Sequence, residues 1–85
     1  MQFEWDEAKR EANLAKHGLD FADVETFDWK NAVFIPSRRI EIGEARFVAF
    51  GDFLGRIHAV VIHRRGIATR IISFRKSQAQ RDQAL

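Results

Sequence analysis

Between Trp5 and Phe27 the apolar positions recur every three to four residues; after Asp28 they come in short, dense blocks. The first pattern predicts helices and the second predicts strands. Trp5, Ala8, Ala12 and Ala15 share one helical face across "EAKREANLAKH". Asp6 is placed to cap that helix, Glu7 lies in its first turn, and Lys16 and His17 lie in its last. Gly18 suits the left-handed position that follows a helix end. A second, shorter helix is expected from Asp20, which can cap it, with Phe21, Val24 and Phe27 as its apolar stripe.

The later blocks are rich in β-branched and aromatic residues. "AVFIP" (32–36) reads as a short strand that Pro36 stops or pushes to an edge. "ARFVAF" (45–50), "RIHAVVIH" (56–63) and "ATRIISF" (68–74) read as three longer ones. The connections "GDFLG" and "RRG" are short and contain Gly, as hairpins require. The tail "KSQAQRDQAL" has no β-branched residue and suits a short helix. The expected fold is therefore α+β, with two N-terminal helices packed on a three- to four-stranded antiparallel sheet and a short C-terminal helix.

Composition limits this to one domain over residues 1–85, since a second core would not fit in so short a chain. Eight Phe and two Trp supply large apolar groups for a modest core. There is no Cys, which removes disulfides and thiolate metal sites. No apolar run approaches the ~18 residues of a membrane span and no signal peptide is visible, so a soluble cytoplasmic protein is expected. Charge changes the picture more. Residues 1–30 hold four Lys/Arg against eight Asp/Glu, whereas residues 31–85 hold ten against four. A basic half carried on strands points to an anionic partner, nucleic acid being the commonest.

The candidate chemistry sits on those strands. Glu44 and Arg46 are two apart at a strand start, so both face one side of the sheet. They suit phosphate binding and proton handling, or simply form a solvated edge pair. His17, His58 and His63 have no metal-motif spacing, and no metal or cofactor is expected. His63 ends a strand beside Arg64 and Arg65 and is suited to proton transfer. His17 is equally well explained as a favourable charge at a helix end. In "RIISFRK", Arg70 and Arg75 are five apart and fall on opposite faces of a regular strand. They converge on one ligand only if the strand ends or bulges before Arg75. Neither a phosphate-binding glycine loop nor a serine-nucleophile motif is present.

Taken together, these stretches resemble the BrnT family, the toxin half of a bacterial type II toxin–antitoxin pair. "FEWDEAKREANLAKHG" is similar to the family opening Trp-Asp-x-x-Lys-x-x-x-Asn-x-x-Lys-His-Gly. The Phe21–Asp28 stretch resembles its second helix, "GEARFVAFG" its Gly-Glu-x-Arg strand, and "RIISFRKS" its Arg-x-Ile-Ser-x-Arg-Lys-Ala strand end. The resemblance spans about residues 3–77. It implies a RelE-like fold and metal-independent RNA cleavage that inhibits translation. It also implies neutralisation by a BrnA-like ribbon-helix-helix antitoxin, which would bring the DNA-binding activity to the operator. It draws attention to Lys9, Lys16, His17, Glu44, Arg46, Arg70, Arg75 and Lys76. The chain departs from the family at its end: Arg81 or Asp82, then Leu85, stand where a Glu and a Tyr are usual.

Chemistry assigns the expected roles. Metal-free cleavage by the adjacent 2′-hydroxyl needs a base, an acid and stabilisation of the phosphorane charge. Arg46, Arg70 and Arg75 are expected to stabilise charge. Glu44 is the expected base, and His63 or His17 the acid. Lys9, Lys16 and Lys76, with His17 close by, are expected to bind flanking RNA. The competing expectation is a non-catalytic, degenerate module that binds RNA or antitoxin.

Overall fold

The structure, a computed structural model, describes residues 1–37 and 45–77. In chain order its elements are β1 (Gln2–Trp5), α1 (Glu7–His17), a 3₁₀ helix (Phe21–Thr26), β2 (Val33–Pro36), β3 (Ala45–Phe53), β4 (Arg56–Arg65) and β5 (Ala68–Lys76). The strands form one sheet in the order β1-β5-β4-β3-β2. β1 runs parallel to β5, and the other pairings are antiparallel.

This corrects the expected RelE-like α+β arrangement of two helices on a three- to four-stranded antiparallel sheet. The sheet has five strands and is mixed. "QFEW" is a strand, with Phe3 and Trp5 packed against the core while Gln2 and Glu4 alternate away from it. Only one α-helix forms among the described residues. The second helical segment is 3₁₀ because its apolar residues recur at intervals of three. Phe21, Val24 and Phe27 then stack on one side of a helix with three residues per turn, and all three are buried. The expected C-terminal helix in the tail lies outside the described residues.

α1 begins as expected. Asp6 Oδ1 accepts from the N–H groups of Ala8 and Lys9, and Gly18 closes the helix with φ of 69°. Its inward face is not the expected one. Ala8, Ala12 and Ala15 are exposed, and the buried residue is Asn13. Asn13 Nδ2 donates to the carbonyls of Phe74 and Leu19, at 2.9 and 3.0 Å, and its Oδ1 accepts from the Phe74 N–H at 3.0 Å. β1 covers the β5 edge only from Ala68 to Ile71. Beyond that point the Asn13 amide does the work of a neighbouring strand, satisfying both backbone groups of Phe74. Arg10 anchors the helix a second time, its Nε and Nη2 donating to the two Asp20 oxygens at 2.9 Å each. Those bonds, with one from the Ala22 N–H, hold the Asp20 carboxyl below the usual range; the same contact raises the Arg10 guanidinium.

The core lies between the sheet and the 3₁₀ helix. Phe21, Val24 and Phe27 meet Ala49, Phe53, Val60, Ile62, Ile71 and Phe74. Phe74 meets Phe53 edge-on at 5.0 Å and Phe27 at 6.4 Å. Gly51 is required here: a β-carbon on it would sit 2.8 Å from the Phe27 ring. Two-residue turns set the register. Leu54 and Gly55, both with positive φ, join β3 to β4, while Gly66 and Ile67 join β4 to β5.

Candidate active site

Side chains alternate across a sheet, so each strand that lines the core also furnishes the opposite face. The register identifies what stands there. Glu4 on β1 is opposite Arg70 on β5, Arg70 is opposite His63 on β4, and His63 is opposite Arg46 on β3. One row therefore crosses four strands, reading Glu4, Arg70, His63, Arg46.

Arg75 joins this face through an irregularity in β5. Val61 pairs with Ser73 and Ile62 with Ile71, so Ile72 is an extra residue in the ladder. Arg70 pairs with His63 and Arg75 with Ala59. His63 and Ala59 are four apart on β4 and share a face, so Arg70 and Arg75 do as well. A regular strand would have turned Arg75 into the core; the bulge re-aims it. The condition set by the sequence, a bulge before Arg75, is met.

The side chains are tied to one another. Arg46 Nε donates to His63 Nε2. A guanidinium has only donors, so His63 Nε2 is the acceptor in this contact. His63 is 5% exposed and Arg75 is 7% exposed. Arg75 Nη1 donates to the Lys76 carbonyl at 3.4 Å. Arg70 Nη1 is 3.8 Å from Glu4 Oε1, with both groups partly solvated. The arrangement can therefore stabilise a spreading negative charge with three guanidiniums, and it offers an imidazole nitrogen able to accept a proton.

Arg46, His63, Arg70 and Arg75 are brought together. Glu44 lies outside the described residues. Lys9 and Lys16 are exposed on α1, and His17 is half-buried at its end; none of the three is in the register row. Lys76 is opposite His58 and so falls on the core side of the sheet, exposed at the strand end. His58 is buried edge-on against Phe53, its Nδ1 2.9 Å from the Arg56 carbonyl, and belongs to the core. No group of His, Asp or Glu among the described residues could hold a metal ion. Two residues went unnoticed in the sequence. Glu4 was legible in the alternation of "QFEW", whereas Asn13 on an otherwise polar helix gave no signal of burial.

One protein-family model matches the chain over residues 5–80; it describes the BrnT ribonuclease toxin of type II toxin–antitoxin systems. The chain belongs to the BrnT family. The matched segment runs from the end of β1 through β5, so it contains Arg46, His63, Arg70 and Arg75. BrnT membership implies an RNA substrate and an antitoxin partner. A search of curated proteins returns no match. No helix among the described residues is long and apolar enough to cross a membrane.

Proposed function

We propose that this chain is an endoribonuclease that cleaves RNA without a metal ion and thereby inhibits translation in the cytoplasm. A BrnA-like ribbon-helix-helix antitoxin neutralises it, and operator DNA is reached only through that antitoxin. The observation that carries the catalytic part is the convergence of Arg46, His63, Arg70 and Arg75 on one sheet face, made possible by the bulge at Ile72.

In this mechanism the 2′-oxygen bonds to phosphorus while the bond to the 5′-oxygen breaks, leaving a 2′,3′-cyclic phosphate and a 5′-hydroxyl. Arg46, Arg70 and Arg75 meet the charge that builds on the phosphoryl oxygens. Glu44, two residues before Arg46, takes the 2′-hydroxyl proton as the base. When phosphate draws Arg46 away, His63 Nε2 is released to take up a proton from solvent and give it to the leaving 5′-oxygen. Lys9, Lys16, His17 and Lys76 contribute attraction for RNA from outside the row rather than contacts at the scissile phosphate.

The burial of Arg75 and His63 favours a second reading, a non-catalytic module for RNA or antitoxin, because catalysis requires both to be uncovered. Incubating the purified chain with a generic single-stranded RNA in EDTA separates the two. Fragments ending in cyclic phosphate are expected. Intact RNA at saturating protein would leave only the binding module.

A further inference from the structure

β2 is the last strand of the sheet, and three consecutive apolar residues on it are exposed: Val33 by 61%, Phe34 by 40% and Ile35 by 41%. Among the described residues its backbone is only half used. The Ser37 N–H donates to the Arg46 carbonyl at 2.9 Å, in line with the β2–β3 register. Hydrogen-bonded positions alternate along an antiparallel pair, so Val33 and Ile35 face β3 while Phe34 and Pro36 face outward. Phe34 thus presents both N–H and C=O at the free edge, and Pro36 presents only C=O.

Beneath that edge, on the core side of the sheet, lies a groove of about 160 Å³ lined by Phe34, Phe47, Ile62 and Arg64. Its walls are apolar apart from exposed Arg64. A dry cavity of about this size takes a benzene-sized group. Trp29 stacks on Phe34 at 6.2 Å and stiffens one wall. The groove is on the opposite side of the sheet from Arg46, Arg70 and Arg75.

We infer that β2 and this groove receive an extended segment of the antitoxin. The segment pairs along the free edge, places one apolar side chain in the groove, and sets a carboxylate against Arg64. The inference rests on the proposed function only in taking an antitoxin as the partner. Strand addition gives affinity through the backbone and specificity through alternate side chains. It suits this edge because an added strand would also lay its other side chains over Val33 and Ile35, on the arginine face. Anchoring behind the sheet and occlusion in front of it then belong to one segment. Charge selects the occupant. The strand half of the chain is net basic, so a second copy would bring like charge to Arg64, and Pro36 leaves too few donors for two β2 strands to pair well. RNA would leave an apolar groove with one cation mostly unsatisfied.

The test co-purifies the full chain with the product of the adjoining reading frame and follows backbone hydrogen exchange. Exchange at the Phe34 amide is expected to slow by more than about tenfold in the complex, the change expected from one good interaction. Phe34→Asp is expected to weaken the complex by at least as much while leaving RNA cleavage by the free chain unchanged. Arg64→Glu, on an exposed side chain, should also weaken it and keeps the test meaningful if Phe34→Asp misfolds. A complex in which Phe34 exchanges at its free rate and both variants bind like the parent overturns the inference, as does failure of the parent to form a complex. Protection of Phe34 that grows with concentration of the chain alone assigns the edge to a second copy and also overturns it. A free chain that cleaves no RNA refutes the proposed function and leaves the exchange result to decide the docking surface.

Discussion

On the face of the sheet that meets the 3₁₀ helix, β5 contributes Ile71 and Phe74, neither with any exposure. On the opposite face the same strand contributes Arg70 and Arg75. Phe74 and Arg75 are neighbours in sequence, so their opposed directions follow from the pleat. That Arg70 also faces with Arg75 does not follow from the pleat; it needs the extra residue at Ile72. The bulge lies between Ile71 and Phe74, which are three apart and would point to opposite faces of a regular strand. The one extra residue that puts Arg70 and Arg75 on one face therefore also puts Ile71 and Phe74 together in the core. Stability and chemistry are separated by one residue along the chain and by one sheet thickness in space.

The sharpest way to break this comparison is to delete one side of it. Phe74→Ala removes a fully buried aromatic side chain and should cost about 3–5 kcal/mol of stability. Thermal or denaturant unfolding measures it. A loss within ordinary surface scatter would mean that Phe74 does not anchor the core. Arg75→Ala, next along the chain, should behave in the opposite way. Together with Arg70→Ala it should reduce single-turnover RNA cleavage by about 10²–10³ each while the fold persists, because a fixed guanidinium meets transition-state charge without reorganising solvent. Arg75→Lys should not rescue cleavage, since an ammonium lacks the planar fork. Wild-type rates from folded Arg70 and Arg75 variants would remove this strand from the chemistry.

How much of this could be read in advance depends on whether the signal is local. β2 to β5 were legible because β-branched and aromatic blocks separated by Gly turns are local patterns. The caps Asp6, Gly18 and Asp20 were legible for the same reason. The parallel pairing of β1 with β5 joins the two ends of the described chain, and a four-residue strand beside a helix start carries too little pattern to reveal it. The local spacing therefore points Trp5, with Ala8, Ala12 and Ala15, to a helix face, whereas Trp5 belongs to β1 and the three alanines are exposed. Phe21, Val24 and Phe27 were rightly grouped, but their spacing of three distinguishes a 3₁₀ helix only when taken literally. The site divides along the same line. Arg70 and Arg75 were suspected from residue type, yet their convergence depends on a bulge in a run, "RIISFRK", that reads as regular strand.

Asn13 sharpens the comparison from the edge of the sheet. It holds the backbone of Phe74, the residue between bulge and Arg75, through both N–H and C=O. Asn13→Ala leaves buried backbone groups without partners and should destabilise the fold by about 1–3 kcal/mol. Loss of stability well below this range would mean that water replaces the amide without penalty. A smaller effect of opposite sign is expected at the far hairpin. Leu54 is 85% exposed and holds φ of 53°, a left-handed conformation that a bulky side chain resists. Leu54→Asn should stabilise the hairpin by up to about 1 kcal/mol, because Asn tolerates that region. An unchanged or lowered melting temperature would show that the turn is not strained.

The smallest effect is expected at the Arg10–Asp20 contact, which joins α1 to the 3₁₀ helix on a partly solvated surface. The Asp20 carboxyl is held below its ordinary range, first by the Arg10 hydrogen bonds and then by the Ala22 N–H. A carboxyl with a depressed folded-state pKa stabilises the fold above its unfolded pKa of about 3.9, and the contribution is lost as pH falls through the lower folded value. Arg10 is shifted upward and stays charged throughout. Asp20→Asn isolates the charge, because Asn caps a helix about as well as Asp and so keeps the bond to Ala22. The parent should therefore be more stable than Asp20→Asn at neutral pH by a constant margin, and the margin should close on acidification below about pH 4. Paired melts across that range measure it. A margin that survives full protonation would place the contribution of Asp20 in its cap and its packing, leaving the ion pair without a measurable share in holding α1 against the sheet.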